Sequence, residues 1–284
     1  MNEIICADVL DGLKQIKDNS VHLSFTSVPY NLSIKYNTYK DDIPFKKYIS
    51  WLKDIFMEIY RVSVDGGRCA INIDAIKNDK PDIEKEYRKP IFIHIYNLMK
   101  EIGWMFRDEI CWYKQNISGN KASWGSWMSC SNPCIRRNHE YIYVFSKNNW
   151  KLDGDNELSD LTGEEFCLYT ASTWEIQPDT RKLANHPAIF PEELAKRIIK
   201  LYSYRNNIVL DCFCGSGTVP YVAKLYGRNY IGIDMDKNYC NCARERVESA
   251  NSLFKEKYIS RSERIKKDEN KEEDLDIFGE QHEI

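Results

Sequence analysis

Four consecutive residues, Ser27-Val28-Pro29-Tyr30, gather groups that can act on a flat, polar substrate: a hydroxyl, a backbone carbonyl and an aromatic face. The two oxygens can accept hydrogen bonds, and the ring can stack. Ahead of them Val21, Leu23 and Phe25 alternate with His22 and Ser24, the pattern of a core strand. A strand ending this way delivers side chains to a site at its carboxyl end. Pro29 fixes its own φ and pushes Val28 toward an extended conformation, so the tetrapeptide is stiff. Taken alone, the stretch also reads as a strand followed by an ordinary turn.

A second constellation lies far downstream. Ile208-Val209-Leu210 reads as a buried strand ending at Asp211, followed by the turn Cys212-Phe213-Cys214-Gly215-Ser216-Gly217. Thr218 to Tyr226 reads as a helix, with Pro220 in its first turn, and Tyr230-Ile231-Gly232-Ile233 as the next strand, ending at Asp234. An acidic residue closing the second strand of a βαβ unit is placed to hold a ribose through its hydroxyls. The glycines follow F-x-G-x-G rather than the G-x-G-x-x-G that lets backbone approach a pyrophosphate. A nucleoside cofactor without a pyrophosphate fits this turn, and S-adenosylmethionine is one.

Other segments must position these two. Glu3 to Ala7 reads as a strand ending at Asp8, and Leu10, Leu13 and Ile16 as one helical stripe. Phe45, Tyr48, Ile49, Leu52, Phe56, Ile59 and Tyr60 repeat with helical period and stop at Asp65-Gly66-Gly67. Arg68–Ile73, Met105–Tyr113 and Glu140–Phe145 read as strands, with a helix around Ile95, Leu98 and Met99 closed by Gly103. Leu194, Ile198 and Leu201 mark a further helix, while 151–182 shows little periodicity. Between Lys114 and Asn138 lies a long loop holding Trp124, Trp127, Arg136 and Arg137 among Gly, Ser and Asn. Long loops in compact domains serve binding or stay irregular, and aromatic and basic residues mixed with amides suit bases and phosphates.

The chain of 284 residues has room for one large core or a core with a smaller lobe. A net charge of −3 gives no global signature of nucleic-acid binding, so any basic surface must be local. No apolar run reaches membrane-spanning length and the first residues are no secretory signal, which predicts a cytoplasmic protein with no membrane partner. The ten cysteines then read as reduced thiols. Cys212-x-Cys214 and Cys240-x-Cys242 lack the spacing of a zinc knuckle, so no metal is expected.

Ser27 to Tyr30 and Phe213 to Gly217 together resemble the amino-methylating DNA methyltransferases. Their catalytic tetrapeptide is (D/N/S)-P-P-(Y/F/W) and their cofactor motif F-x-G-x-G. Having the catalytic motif first resembles the permuted β group. Asp8, Trp112-Tyr113-Lys114, Asn138-His139-Glu140-Tyr141 and His186 to Pro191 are also family-like, so the resemblance spans most of residues 3–250. It implies an α/β fold of the S-adenosylmethionine-dependent methyltransferase (Rossmann-like) type: a mostly parallel central sheet flanked by helices, with a target-recognition insertion. The implied division is a catalytic half over 1–113, a target-recognition region with part of the sheet over 114–182, a cofactor-binding half over 183–250 and a charged tail over 251–284.

The resemblance also implies roles. Tyr30 would stack on a flipped base, with Ser27 Oγ and the Val28 carbonyl accepting the N–H groups of its amine and Pro29 stiffening the turn. S-adenosylmethionine would lie across Phe213, Gly215 and Gly217, with Asp234 on the ribose, Asp8 near the adenine amine, and Phe190 and Pro191 around the methionine end. Asp211 would orient the methionine portion or shape the turn, and Asp8 reads equally as a helix N-cap. Trp124, Trp127, Arg136 and Arg137 would contact DNA. Val28 stands where the family has proline, and the change predicts lost rigidity more than lost chemistry. Serine in the first tetrapeptide position is associated with N4-cytosine methylation, aspartate or asparagine more with N6-adenine. The expected partner is double-stranded DNA, with room for a homodimer and a cognate restriction endonuclease acting on the same site. N6-adenine methylation, an inactive DNA-binding relative, methylation of RNA or a protein amide, and a nicotinamide oxidoreductase stay open. Pro133-Cys134 has the form of a C5-cytosine nucleophile but sits in the Trp-rich loop, and reads as coincidence.

Overall fold

Apolar residues that alternate along the strands require a helix layer on each side of the sheet, and both layers are present. The computed structural model describes residues 2–31, 43–74, 76–78, 88–114, 125–133, 135, 138–179, 191–250 and 261–266. The first element is β1 (Asn2–Cys6), whose Ile4 and Ile5 enter opposite cores, then α1 (Val9–Lys14). Asp8 is the N-cap of α1 and accepts from Leu10 N at 2.9 Å, so the capping alternative for this residue is realised. β2 (Val21–Ser27) and α2 (Phe45–Val62) follow. Tyr48, Leu52, Ile55, Phe56, Ile59 and Val62 form the buried face of α2, each worth about 1.5–3 kcal/mol of burial.

β3 (Ser63–Ile73) begins directly at the end of α2, five residues earlier than Arg68. It also lengthens β2: Thr26 and Ser27, predicted to lie in a turn, pair in parallel with Ile71 and Asn72. A register irregularity between Val21 and Leu23 turns Val21 toward the layer of α1 and α2, while Leu23 and Phe25 face the other core. After the short antiparallel pair β4 (Ile76–Asn78) and β5 (Arg88–Pro90) comes α3 (Ile91–Ile102), closed as predicted by Gly103 at φ 113°. β6 (Trp104–Tyr113) and β7 (His139–Lys147) bracket the long loop.

Two elements lie in the stretch read as aperiodic. α4 (Gly163–Tyr169) opens with a capping box in which Thr162 and Glu165 exchange bonds, and β8 (Thr173–Glu175) adds a strand beside β6. α5 (Glu192–Tyr202), β9 (Ile208–Asp211), α6 (Thr218–Leu225) and β10 (Asn229–Asp234) agree with prediction. α7 (Lys237–Ser249) was not foreseen, since its buried Tyr239, Cys240, Ala243 and Val247 are diluted by charge. Residues 261–266 of the expected tail are helical and docked: Ser262 donates to Glu157 Oε2 through N at 3.1 Å and Oγ at 2.9 Å.

The eight-stranded sheet has the order β1-β10-β9-β2-β3-β7-β6-β8. Among its described strands only β7 runs against its neighbours. β9 and β2 are central neighbours; from β9 the chain winds through α6 to β10 on one side, and from β2 through α2 to β3 on the other. The topological switch point therefore lies at their carboxyl ends, which carry Asp211 and Ser27.

A buried ion pair closes the far end of the cofactor half. Arg228, 3% exposed, grips Asp160 with two nitrogens at 2.5 and 2.8 Å and also donates to the Ser203 carbonyl. Asp160→Ala leaves that guanidinium buried without its carboxylate and should destabilise the protein by about 3 kcal/mol, read by urea denaturation.

Candidate active site at the switch point

The tetrapeptide is held from several sides. Val28 is 1% exposed and packs in the core beneath α1–α3, so the side chain that replaces a proline ring is itself an anchor. Tyr48 of α2 donates to the Pro29 carbonyl at 2.8 Å. Asn31, in the left-handed region at φ 55°, accepts from Ile43 N and donates to the Ile43 carbonyl, both at 2.8 Å. These contacts replace much of the stiffness expected to be lost at Val28.

Tyr30 is partly buried, and its hydroxyl donates to Glu140 Oε2 at 3.0 Å while accepting from Asn72 Nδ2 at 3.0 Å and Ser27 Oγ at 3.4 Å. Burial first, and then the Glu140 charge, hold this phenol well above its ordinary pKa, so it stays protonated. Asn72 stands opposite Ser27 in the β2–β3 register and also donates to Glu140 Oε2 at 2.9 Å.

The cofactor-type turn adjoins this group. Asp211 Oδ1 accepts from Thr26 Oγ1 at 2.8 Å and from Phe213 N at 3.1 Å, so one carboxylate joins β2 to the turn after β9. Gly215 and Gly217 take φ of 48° and 81°, and a Cβ on Gly217 would stand 2.7 Å from Ala243 Cβ. Asp234 accepts from Gly215 N at 2.9 Å and from Asp236 N at 2.8 Å, which fixes its carboxylate against the glycine turn. Phe213 packs on Trp51 of α2 with ring centroids 5.6 Å apart. Arg246 ties Thr218, at the start of α6, to Glu192 at the start of α5, next to Pro191.

Burial pushes the Asp211 carboxyl up to about 7, helped by the nearby Asp234 charge; burial also raises Asp234. Two desolvated carboxylates at one turn repel a phosphate and favour a ligand with positive charge. The fit is to a nucleoside with a cationic group, which describes the sulfonium and ribose of S-adenosylmethionine.

Sequence alone left out Thr26, Trp51, Asn72 and Arg246. The first is hidden by an assumed turn, the second by an ordinary helical stripe, the others by distance along the chain. Trp127 is 58% exposed in the insertion, while Trp124, Arg136, Arg137 and Phe190 lie outside the described residues. Pro133 bridges Gly125 within the insertion rather than following a strand of the sheet, and Cys134 lies outside the described residues. Among the described residues no group of His, Cys, Asp or Glu could hold a metal ion, and no helix is long and apolar enough to cross a membrane.

The family model described as DNA methylase, covering N6- and N4-methyltransferases, matches residues 21–245. The chain belongs to the N6/N4 DNA methylase family. This makes it a DNA methyltransferase with S-adenosylmethionine as cofactor. This methylase is similar to the type II methyltransferase M.MjaVI of Methanocaldococcus jannaschii, 34% identical over 167 residues that cover 59% of this chain and 82% of that one. Its fold matches a DNA modification methylase of Thermus thermophilus complexed with S-adenosyl-L-methionine, with a TM-score of 0.70 and 24% identity over 88% of this chain and 94% of the other. It also matches the cytosine-N4-specific PvuII DNA methyltransferase, with a TM-score of 0.68 and 17% identity over 89% and 90% of the two chains. The methylase thus has the α/β methyltransferase fold implied by its motifs.

The Asp211 shift has a sign that can be checked. Its folded pKa lies above the ordinary 3.8, so the folded state binds the proton more tightly and stability from this group falls as pH rises from about 4 to about 7. Asp211→Asn keeps an oxygen for Thr26 and Phe213 N but removes the buried charge. The ligand-free variant should melt several degrees above wild type at pH 8, with a smaller gain at pH 5, in thermal scans.

Proposed function

We propose that the protein is a site-specific DNA methyltransferase acting on the exocyclic N4 amine of cytosine in duplex DNA, as the modification enzyme of a restriction–modification system. The observation that carries the choice of base is Ser27: a serine hydroxyl occupies the first tetrapeptide position, at the carboxyl end of β2 and within hydrogen-bond reach of Tyr30. In the family, serine there is associated with cytosine N4.

The target cannot be reached inside a duplex, so it is turned out of the helix and stacked on the Tyr30 ring. The amine of cytosine is a weak nucleophile because its lone pair is conjugated with the ring. Ser27 Oγ and the Val28 carbonyl accept its two N–H groups, which favours a pyramidal nitrogen with its lone pair aimed at the methyl group. When bound, the cofactor supplies an electrophilic methyl on a sulfonium and leaves as a neutral thioether, while one amine proton departs. No covalent bond to the protein forms, and catalysis is positioning and electrostatics.

Phe213, Gly215 and Gly217 line the cofactor, Asp234 takes the ribose hydroxyls and Asp211 faces the methionine end. Pro191, buried at the start of α5, helps enclose that end together with Phe190. Asp8, exposed beside the end of β10, keeps a carboxylate oxygen for the adenine amine while capping α1. The insertion with Trp124, Trp127, Arg136 and Arg137 supplies DNA contacts, in a target-recognition region spanning 114–182.

Two measurements test this. DNA of varied sequence incubated with the protein and isotopically labelled S-adenosylmethionine should yield labelled N4-methylcytosine on nucleoside mass spectrometry; labelled N6-methyladenine instead would keep the fold and overturn the base. Asp234→Ala and Phe213→Ala should each weaken cofactor binding about tenfold or more by calorimetry, and wild-type affinity in both would refute the assigned cofactor residues.

A further inference from the structure

The chemistry proposed for Ser27 needs its oxygen to accept from the target amine, yet a serine hydroxyl can equally donate. Something must turn its hydrogen away. The polar group around Tyr30 does so through Glu140, which the tetrapeptide itself does not contain.

Glu140 lies near the start of β7, on the reversed strand of the sheet. Its Oε2 accepts from the Tyr30 hydroxyl and from Asn72 Nδ2, and its Oε1 is paired with Lys114 Nζ. Lys114 follows β6 directly, and its backbone N donates to the Asn138 carbonyl at 2.7 Å, so Lys114 and Glu140 stand at the two ends of the insertion. Around this carboxylate every direction is forced. A lysine ammonium only donates and an ionised carboxylate only accepts.

The constraint then runs along the chain of hydroxyls. Tyr30 has one hydroxyl hydrogen, and Glu140 takes it at 3.0 Å. The phenol oxygen therefore acts as acceptor, receiving Asn72 Nδ2 at 3.0 Å and the Ser27 hydroxyl at 3.4 Å. Ser27 has one hydrogen as well, and it is directed at Tyr30. What remains on Ser27 Oγ is lone pairs.

We propose that Glu140, held by Lys114, is a positioning residue that sets the direction of the Ser27–Tyr30–Glu140 hydrogen-bond chain, so that Ser27 meets the target amine as an acceptor. The proposal rests on the reading of Ser27 given above and extends it to a residue on the far side of the sheet's switch point. A glutamine at position 140 breaks the rule: its amide nitrogen can donate to Tyr30, the chain can reverse, and the Ser27 hydrogen is free to face the amine.

The test is a double-mutant cycle with Glu140→Gln and Tyr30→Phe. Tyr30→Phe keeps the stacking ring but cuts the chain between Ser27 and Glu140. Single-turnover transfer of labelled methyl groups to mixed-sequence genomic DNA gives the rate, and calorimetry the cofactor affinity. Glu140→Gln should slow transfer at least tenfold while leaving cofactor affinity within about twofold. The double variant should be no slower than the slower single variant, because with Tyr30→Phe nothing remains for Glu140 to direct. If Glu140→Gln does not fold, Glu140→Asp serves in the same cycle: it keeps the charge for Lys114 but draws the carboxylate away from Tyr30, and the same coupling is expected.

Multiplicative losses in the double variant, or full activity in the Glu140 variants, would overturn the proposal while leaving the methyltransferase reading intact. A wild-type protein that binds S-adenosylmethionine but labels no DNA would overturn both.

Discussion

The Asp211 carboxylate occupies the one place where the two halves of the molecule must be in register. β2 and β9 share only two paired positions, Leu23 with Val209 and Ser24 with Leu210. Beyond those pairs the strands diverge into the turn at Tyr30 and the turn at Phe213, and the side chain of Asp211 joins them by accepting from Thr26 and from Phe213 N. A buried carboxylate is an expensive fastener, since desolvation works against its charge. The unfavourable term is tolerable at a position that also meets a cationic ligand, where the same desolvation strengthens the attraction.

The tetrapeptide shows how one constraint can be met by different means. A second proline would restrict the backbone at position 28 covalently. Here the restriction comes from packing: the Val28 side chain sits in the core, Tyr48 holds the Pro29 carbonyl, and Asn31 clasps Ile43. Rigidity of this sort depends on the neighbours. It ties the geometry of the turn to α2, whose Trp51 also supports Phe213 on the cofactor side.

Elements with a strong period could be read from the chain directly: α2 from its apolar stripe, the βαβ unit from its glycines and terminal aspartates, α3 from its closing Gly103. Motifs confined to a few consecutive residues, Ser27 to Tyr30 and Phe213 to Gly217, were equally visible. What escaped was set by partners. Thr26 and Ser27 look like turn residues until β3 pairs with them, and β8 is three residues long, too short to show alternation. α7 buries four residues among many charges, so its pattern is faint. The contacts of Asn72 and Glu140 with Tyr30 span 42 and 110 positions of sequence, and no local pattern encodes them. Capping went the other way: Thr162 and Glu165 have the spacing of a helix start and were legible in principle.

The strand order also bears on how the molecule is made. Among the described strands β1 is the first to be synthesised, and the strand it pairs with, β10, is the last. β2 finds β3 early but meets β9 only after nearly two hundred further residues. The edge and the centre of the sheet thus wait together for the final third of the chain. Contacts so distant in sequence close slowly, and until they close the apolar edges of β1 and β2 stay exposed to other partners. For a nascent chain on a ribosome, this places completion of the sheet almost at the end of translation, with the two halves of the site assembled in one late step.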